Sequence, residues 1–176
     1  MITSNFKKFL MLLLASQGTS SALSMVPVKT PTGSTKYIAP SFSAFPGEPA
    51  MFFTTSMSDY GIHVGSGSTP PAESDYALEQ PITSGLTATS PSITVNYDAA
   101  GNPYKDILLT LSNTTSSDIT ITEVGYYVRM VYWDTQGVTT NNKMAFMIDR
   151  TLLDSPLTIP ANGAGVLKYQ LKTIIS

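Results

Sequence analysis

The spacing of apolar and polar positions changes along the chain, and each change predicts a different element. From residue 4 to residue 16, Phe6, Phe9, Leu10, Leu13 and Leu14 recur at helical intervals, which predicts one short helix. Ser4 or Asn5 is placed to cap it through a side-chain oxygen, and Gly18 to end it. Met11 and Leu12 widen the apolar surface beyond a single stripe. A helix this short is marginal alone in water, and one that is apolar nearly all round needs cover on several sides. Neighbouring subunits can supply that cover, or the helix can fold back over a groove of its own domain.

Residues 19–50 follow a different rule. Pro27, Pro31, Pro40, Pro46 and Pro49 interrupt any regular ladder, because proline lacks the N–H that a central strand needs. Yet Met25, Val26, Val28, Tyr37, Ile38, Phe42 and Phe45 are spaced through the stretch, too many apolar anchors for a disordered linker. The expectation is an extended arm that gains order from whatever it lies on.

From residue 51 the period is two. Ile93, Val95 and Tyr97 alternate with polar residues, as do Ile107, Leu109 and Leu111, and Leu167, Tyr169 and Leu171. Ile119 and Ile121 alternate on odd positions, whereas Val124, Tyr126, Val128, Met130 and Tyr132 alternate on even ones, so the phase slips near Glu123 to Gly125 and predicts a β-bulge there. Turn-forming clusters fall at 65–72, 100–103, 113–118 and 160–163. Strands joined by turns without intervening helices predict an all-β, antiparallel β-sandwich of about seven to nine strands in two sheets, jelly-roll or immunoglobulin-like in topology. The organisation expected is therefore an apolar helix over 1–18, an arm over 19–50 and a sandwich over 51–176.

Composition narrows the function classes. The chain has 176 residues, and only 12% of them are charged, against about 25% in a typical globular protein. Ser and Thr, about a quarter of the chain, make the surface polar without charge, which suits close packing against neighbours. The net charge is −2 and no basic run extends beyond Lys7 and Lys8, so no nucleic-acid partner is expected. Cysteine is absent, which excludes disulfides, thiolate metal sites and a cysteine nucleophile. Phe9 to Ala15 is too short to span a bilayer, and no membrane partner is expected. Behind two lysines and ahead of Ser20, Ser21 and Ala22, however, it has the layout of a secretory signal peptide.

Candidate chemistry is sparse. His63 is the one histidine and any Ser-His-Asp arrangement would need it, but no nucleophile elbow accompanies it, so a packed strand histidine is expected. Asp59, Glu73, Asp75 and Glu79 cluster loosely; the expectation is that Asp75 and Glu79 accept backbone N–H groups in an ordered loop rather than hold calcium or act as a glycosidic acid–base pair. The Gly65-Ser66-Gly67-Ser68-Thr69 run lacks the lysine and following helix of a phosphate loop and reads as a turn. Trp133, Tyr126, Tyr127 and Tyr132 could stack on sugars but are expected in the core and in cross-strand pairs. Asn113-Thr114-Thr115 has the form of a glycosylation acceptor. No catalytic residue, cofactor or metal is assigned.

Three stretches carry a resemblance. Residues 61 to 82 read GIHVGSGSTPPAESDYALEQPI, residues 121 to 127 read ITEVGYY, and residues 150 to 171 read RTLLDSPLTIPANGAGVLKYQL. Taken in that order they resemble segments of virion proteins of tailed bacteriophages, in which a VGTGTTPP-x-x-x-DY-x-L-E-x-x-I pattern precedes an Ile-Thr-Glu-Val-Gly strand and a closing hairpin. The resemblance implies a β-sandwich structural protein of the head, neck, tail or fibre, and brings no catalytic residues. The expectation is a non-enzymatic virion subunit. It would assemble with its own copies and with capsid, portal or tail proteins through Phe6, Phe9, Leu10, Leu13, Leu14, Tyr37, Phe42 and Phe45. The alternative is a secreted or surface carbohydrate-binding module with a cleaved signal peptide, for which a host surface glycan is the partner.

Overall fold

The computed structural model describes residues 1–15, 26–38, 51–52, 57, 59–89, 91–132 and 142–172. Among these residues one helix, α1 (Ser4–Ala15), precedes ten strands: β1 (Val26–Lys29), β2 (Thr35–Ile38), β3 (Met51–Phe52), β4 (Gly61–Gly65), β5 (Leu86–Ala88), β6 (Ser92–Tyr97), β7 (Pro103–Asn113), β8 (Ile119–Tyr132), β9 (Asn142–Ile159) and β10 (Ala164–Lys172). All pairings are antiparallel. In the first sheet β8 is central, with β9 on one side and β4 and β3 in succession on the other. In the second sheet β7 is central, with β10 on one side and β5 and β6 in succession on the other. The two sheets share one core. Ile107, Leu109, Leu111, Leu167 and Tyr169 from the second meet Ile62, Val64, Ile121, Val124, Tyr126, Val128, Phe146 and Ile159 from the first. The protein is thus an all-β, sandwich-like fold with a short N-terminal helix.

The period-two strands form where alternation predicts them. In β7 the residues Ile107, Leu109 and Leu111 are buried while Leu108 and Thr110 face out, and in β10 Leu167 and Tyr169 are buried between exposed Val166 and Lys168. β6 also forms, but its apolar side chains do not close over the core: Ile93, Val95 and Tyr97 are 48%, 56% and 69% exposed.

The stretch read as an arm contains a third, two-stranded sheet. β1 and β2 pair as a hairpin, and Val28 and Ile38 are buried in the shared core. Pro27 is tolerated because the hairpin has only one ladder. The helix begins as expected at Ser4, but neither Ser4 nor Asn5 caps it through a side-chain oxygen in the expected way. The Thr3 carbonyl accepts from Phe6 N and Lys7 N at 3.1 and 3.3 Å. The Asn5 amide is used elsewhere: it donates to Lys29 O at 2.8 Å and accepts from Lys29 N at 2.9 Å, as an added strand would. Gly18 lies outside the described residues. Thr3 N donates to Ile148 O at 3.0 Å and Ile2 bridges Asp149, so the segment before the helix lies along the outer edge of β9.

The phase slip in β8 is present between Ile121 and Glu123, slightly earlier than the sequence places it. Most of the extra chain is on the partner strand. Ile121 pairs with Leu157 and Glu123 with Leu152, so Leu153 to Pro156 bulge opposite Thr122. A second slip on β9 falls between Tyr126 and Tyr127. After the first, Val124, Tyr126 and Val128 point into the core, and Glu123, Gly125 and Tyr127 point to the other face of the sheet.

Candidate functional site

That other face of the first sheet ought to be wet, yet Glu123, Gly125 and Tyr127 are all buried. The cover is the loop between β4 and β5. It leaves β4 at Ser66 and returns beside it: Ser66 N donates to Gln80 O and Ile82 N to Val64 O, both at 2.9 Å. Its ends are close and its own side chains pack beneath it, as in an Ω-loop. Leu78 sits over Gly125 and forms a small second cluster with Tyr127 and Met147. The Tyr127 hydroxyl accepts from Leu78 N at 3.1 Å, and burial pushes its pKa up to about 12. His63 lies against the Tyr127 ring, 4.5 Å between centroids.

At the centre of this interface is Arg150, which pairs with Gly125 across the β8–β9 ladder and is 3% exposed. Its Nε donates to Glu123 Oε2 at 2.8 Å, its Nη1 to Asp75 Oδ2 at 2.9 Å and its Nη2 to Glu79 Oε2 at 3.4 Å. Glu123 has no exposed surface. Its Oε1 accepts from Gly67 N at 3.2 Å and Gln80 N at 2.8 Å, and its Oε2 also accepts from Glu79 N at 3.2 Å. A carboxylate has about four lone-pair sites, and the loop and Arg150 occupy them. Glu79 accepts in turn from Ser68 N at 2.9 Å and from Thr69 N and Oγ1 at 2.8 Å, and Asp75 from Ala72 N at 2.8 Å. The expected role of Asp75 and Glu79 as acceptors for loop N–H groups is therefore what the structure shows.

The electrostatics follow. The Thr69 hydrogen bonds, with help from Ser68 and Arg150, hold Glu79 below the usual carboxylate range. Burial alone would lower the Arg150 pKa, but the Asp75 and Glu123 contacts outweigh it and raise it. Three carboxylates around one guanidinium would repel if they were bare; the backbone N–H groups of the loop offset the excess. The loop is thus tied to both long strands of the first sheet. It also touches the start of α1, where Ser4 N donates to Glu73 O at 2.7 Å and Lys7 pairs with Glu73.

A second buried polar contact links the sheets. Tyr169 on β10 donates to Asp149 Oδ2 on β9 at 2.5 Å, and Asp149 also accepts from Thr151 Oγ1 at 3.0 Å and pairs with the Met1 ammonium at 3.2 Å. Burial, and then the Asp149 charge, raise the Tyr169 pKa well above its ordinary value. Asn113, the glycosylation-type asparagine, is 3% exposed. Its amide donates to the carbonyls of Ser117, Ile159 and Pro160, and its Oδ1 accepts from Thr115 N and Oγ1. It is a turn-holding residue with no amide left to modify. Tyr126 and Tyr127 are buried and offer no open platform for a sugar.

The residues expected to mediate assembly are distributed as follows. Phe6 is partly buried against the shared core, and Leu10 lines a groove between β9 and β10. Tyr37 is half-buried on β2 opposite Pro27. The side chains of Phe9, Leu13 and Leu14, and the whole of Phe42 and Phe45, lie outside the described residues, as does Trp133. Among the described residues no group of three or more His, Cys, Asp or Glu side chains is placed to hold a metal ion, and no helix is long and apolar enough to cross a membrane.

The geometry defines a sandwich-like all-β fold whose 66–85 loop is clamped by a buried arginine. Three separate stretches of the chain supply its parts: Asp75 and Glu79 from 61–82, Glu123 from 121–127 and Arg150 from 150–171. Compared with protein-family models, with curated proteins and with solved structures, the chain gives no match.

Proposed function

We propose that this chain is a non-enzymatic structural subunit of a tailed-phage virion, acting in the head, neck, tail or fibre. The observation that carries this reading is the meeting of the three resembling stretches on Arg150. Such a shared set of side chains, distant in sequence, is what a motif looks like when its role is to fix a loop rigidly on a sheet. The clamp carboxylates are occupied by backbone N–H groups and a guanidinium, which suits a mechanical role better than proton transfer. The low-charge Ser/Thr surface favours packing against neighbours without unpaired buried charge. The apolar helix α1 belongs to the working protein in this reading. Thr3, just ahead of it, and Asn5, in its first turn, are hydrogen-bonded to β9 and β1, and removal of the segment as a signal peptide would strip those contacts.

The test is to band phage particles on a density gradient and quantify this chain by mass spectrometry. Many copies per particle, with peptides from residues 1–15 present, are expected. A chain absent from the particles, or recovered free in the medium and trimmed behind residue 20, overturns the reading.

A further inference from the structure

Two unexplained features lie on opposite edges of the sandwich. On one edge is β6, which among the described residues pairs with β7 alone. Its Ile93, Val95 and Tyr97 share the inward-facing side of the sheet with Ile107, yet all three are largely exposed. Edge strands in monomeric proteins are usually protected by charge, proline or a bulge. The sequence Ser92–Tyr97 has none of these.

On the other edge is a groove with a volume of about 1240 Å³, running between β9 of the first sheet and β10 of the second. Phe6, Leu10, Leu153, Leu157, Leu167 and Tyr169 make its apolar lining. Among the described residues β10 pairs with β7 alone, so its other backbone edge faces the groove, while β9 pairs with β8 on its inner side. The outer edge of β9 already accepts an extended segment: Arg150 N donates to Met1 O and Thr3 N to Ile148 O, each at 3.0 Å. Beyond Leu152 the β9 ladder is broken by the 153–156 bulge, so the edge left to receive a strand in the groove is that of β10. Among the charged residues that line it, Lys7 pairs with Glu73, Lys168 with Asp106 and Asp149 with the Met1 ammonium, while Asp154 and Lys172 also contribute to the lining.

We propose that copies of this chain associate head to tail, with β6 of one copy added as a strand in the β9–β10 groove of the next. The inference rests on the structural-subunit reading and deepens it by naming the partner as a second copy. A six-residue strand is ~20 Å long and sends alternate side chains to one side. Ile93, Val95 and Tyr97 would enter the groove while the main chain pairs with an open edge, as in β-strand addition. An uncharged strand leaves no buried charge behind. Because donor and acceptor lie on opposite edges, the contact is heterologous, and repetition gives a ring or a filament.

The experiment is light scattering on the full chain and on two variants, Val95→Lys on the donor edge and Leu153→Lys in the groove. The native chain is expected to gain mass with concentration. Each variant alone is expected to remain a monomer. An equimolar mixture is expected to form a two-copy species and nothing larger, because each variant retains one intact half of the contact. A native chain that stays monomeric, a Val95→Lys chain that still assembles, or a mixture that does not pair overturns the proposal. Should Leu153→Lys fail to fold, the cysteine-free background allows a second test. A Val95→Cys, Leu153→Cys chain should give a ladder of interchain disulfides under oxidation, and its absence is equally decisive. These outcomes are independent of the gradient experiment: a chain abundant in particles but indifferent to Val95→Lys keeps the virion reading and loses this interface.

Discussion

Arg150 on β9 donates from Nε to Glu123 on β8 at 2.8 Å, and both side chains are withdrawn from solvent. Removing one member of a buried pair leaves the other charged and unsolvated, which costs about 3–5 kcal/mol. Arg150→Ala should therefore lower the melting temperature sharply and open the 66–80 loop to proteolysis, while Arg150→Lys, which keeps charge but loses the fork, recovers only part. Glu123→Gln should also destabilise, since it forces an amide N–H toward the donors Gly67 N or Glu79 N. A melting temperature unchanged in Arg150→Ala would mean that the clamp contributes nothing.

The glycines of the loop are there because Glu123 is. A Cβ on Gly65 would sit 2.6 Å from Gln80 O and 2.9 Å from Glu123 Cγ, and one on Gly67 would sit 2.6 Å from Glu79 Cβ. Gly101, in the β6–β7 turn, has positive φ but nothing within 4 Å. Alanine at 101 should cost about 1–2 kcal/mol through its backbone conformation alone. Alanine at 65 should cost more, because the obstructing carbonyl is backbone and cannot swing aside. Urea unfolding of Gly65→Ala, Gly67→Ala and Gly101→Ala checks the order, with Gly101→Ala the mildest.

The strands of the second sheet were legible because one face is wet, so Ile107, Leu109 and Leu111 stand out against their neighbours. The clamp was not legible for the opposite reason. β8 is buried on both faces from Val124 to Val128, so alternation there marks the core-facing positions and the slip but not the cover on the other face. Two signals are available: Glu123 directly ahead of the Val124–Val128 run, and Arg150 two residues past the Met144–Ile148 apolar run. Each is a charge in a stretch that ought to be buried, and such charges need partners. Local pattern could not show that the partners lie in a loop far away in sequence. β6 is the converse case, where alternation was read correctly but burial depends on what lies opposite, which periodicity does not encode.

Acid should loosen the loop before it unfolds the sandwich. The Thr69 hydrogen bonds place the folded-state pKa of Glu79 below its ordinary value of 4.5. A depressed carboxylate stabilises the fold above the unfolded pKa, and that contribution is lost as pH falls through the folded one. Amide exchange at Ser68 and Thr69 should therefore accelerate, after correction for intrinsic rates, below the ordinary carboxylate range. Glu79→Gln should show faster exchange already at neutral pH and little further change on acidification. Equal pH dependence in the variant and the native chain would rule Glu79 out as the cause.

Alkali should act through the buried tyrosines. Tyr127 is pushed up to about 12 and Tyr169 well above its ordinary value, both first by burial. Raised folded-state pKa values mean stability that is complete below pH 10 and lost as pH rises through the folded values. Phenolate absorbance should show the buried pair ionising late, together with unfolding. Tyr169→Phe should leave Asp149 with one donor fewer and lower stability by about 1–3 kcal/mol.

Asn5 provides the sharpest test of whether the front end belongs to the folded protein. It is 2% exposed and joins three parts of the chain, exchanging hydrogen bonds with Lys29 on β1 and donating to Met147 O on β9 at 3.3 Å. Leucine there is close in size but can make none of these bonds, and the Lys29 amide loses its acceptor. Stranded buried groups cost about 1–3 kcal/mol each. Asn5→Leu should therefore lower global stability and speed amide exchange in β1 and β2, leaving β7 and β10 comparatively protected. Asn5→Asp keeps the acceptor for Lys29 N but loses both donors, and should fall between the two. If exchange in the 26–38 hairpin is the same in all three chains, the N-terminal segment does not hold that hairpin to the sandwich.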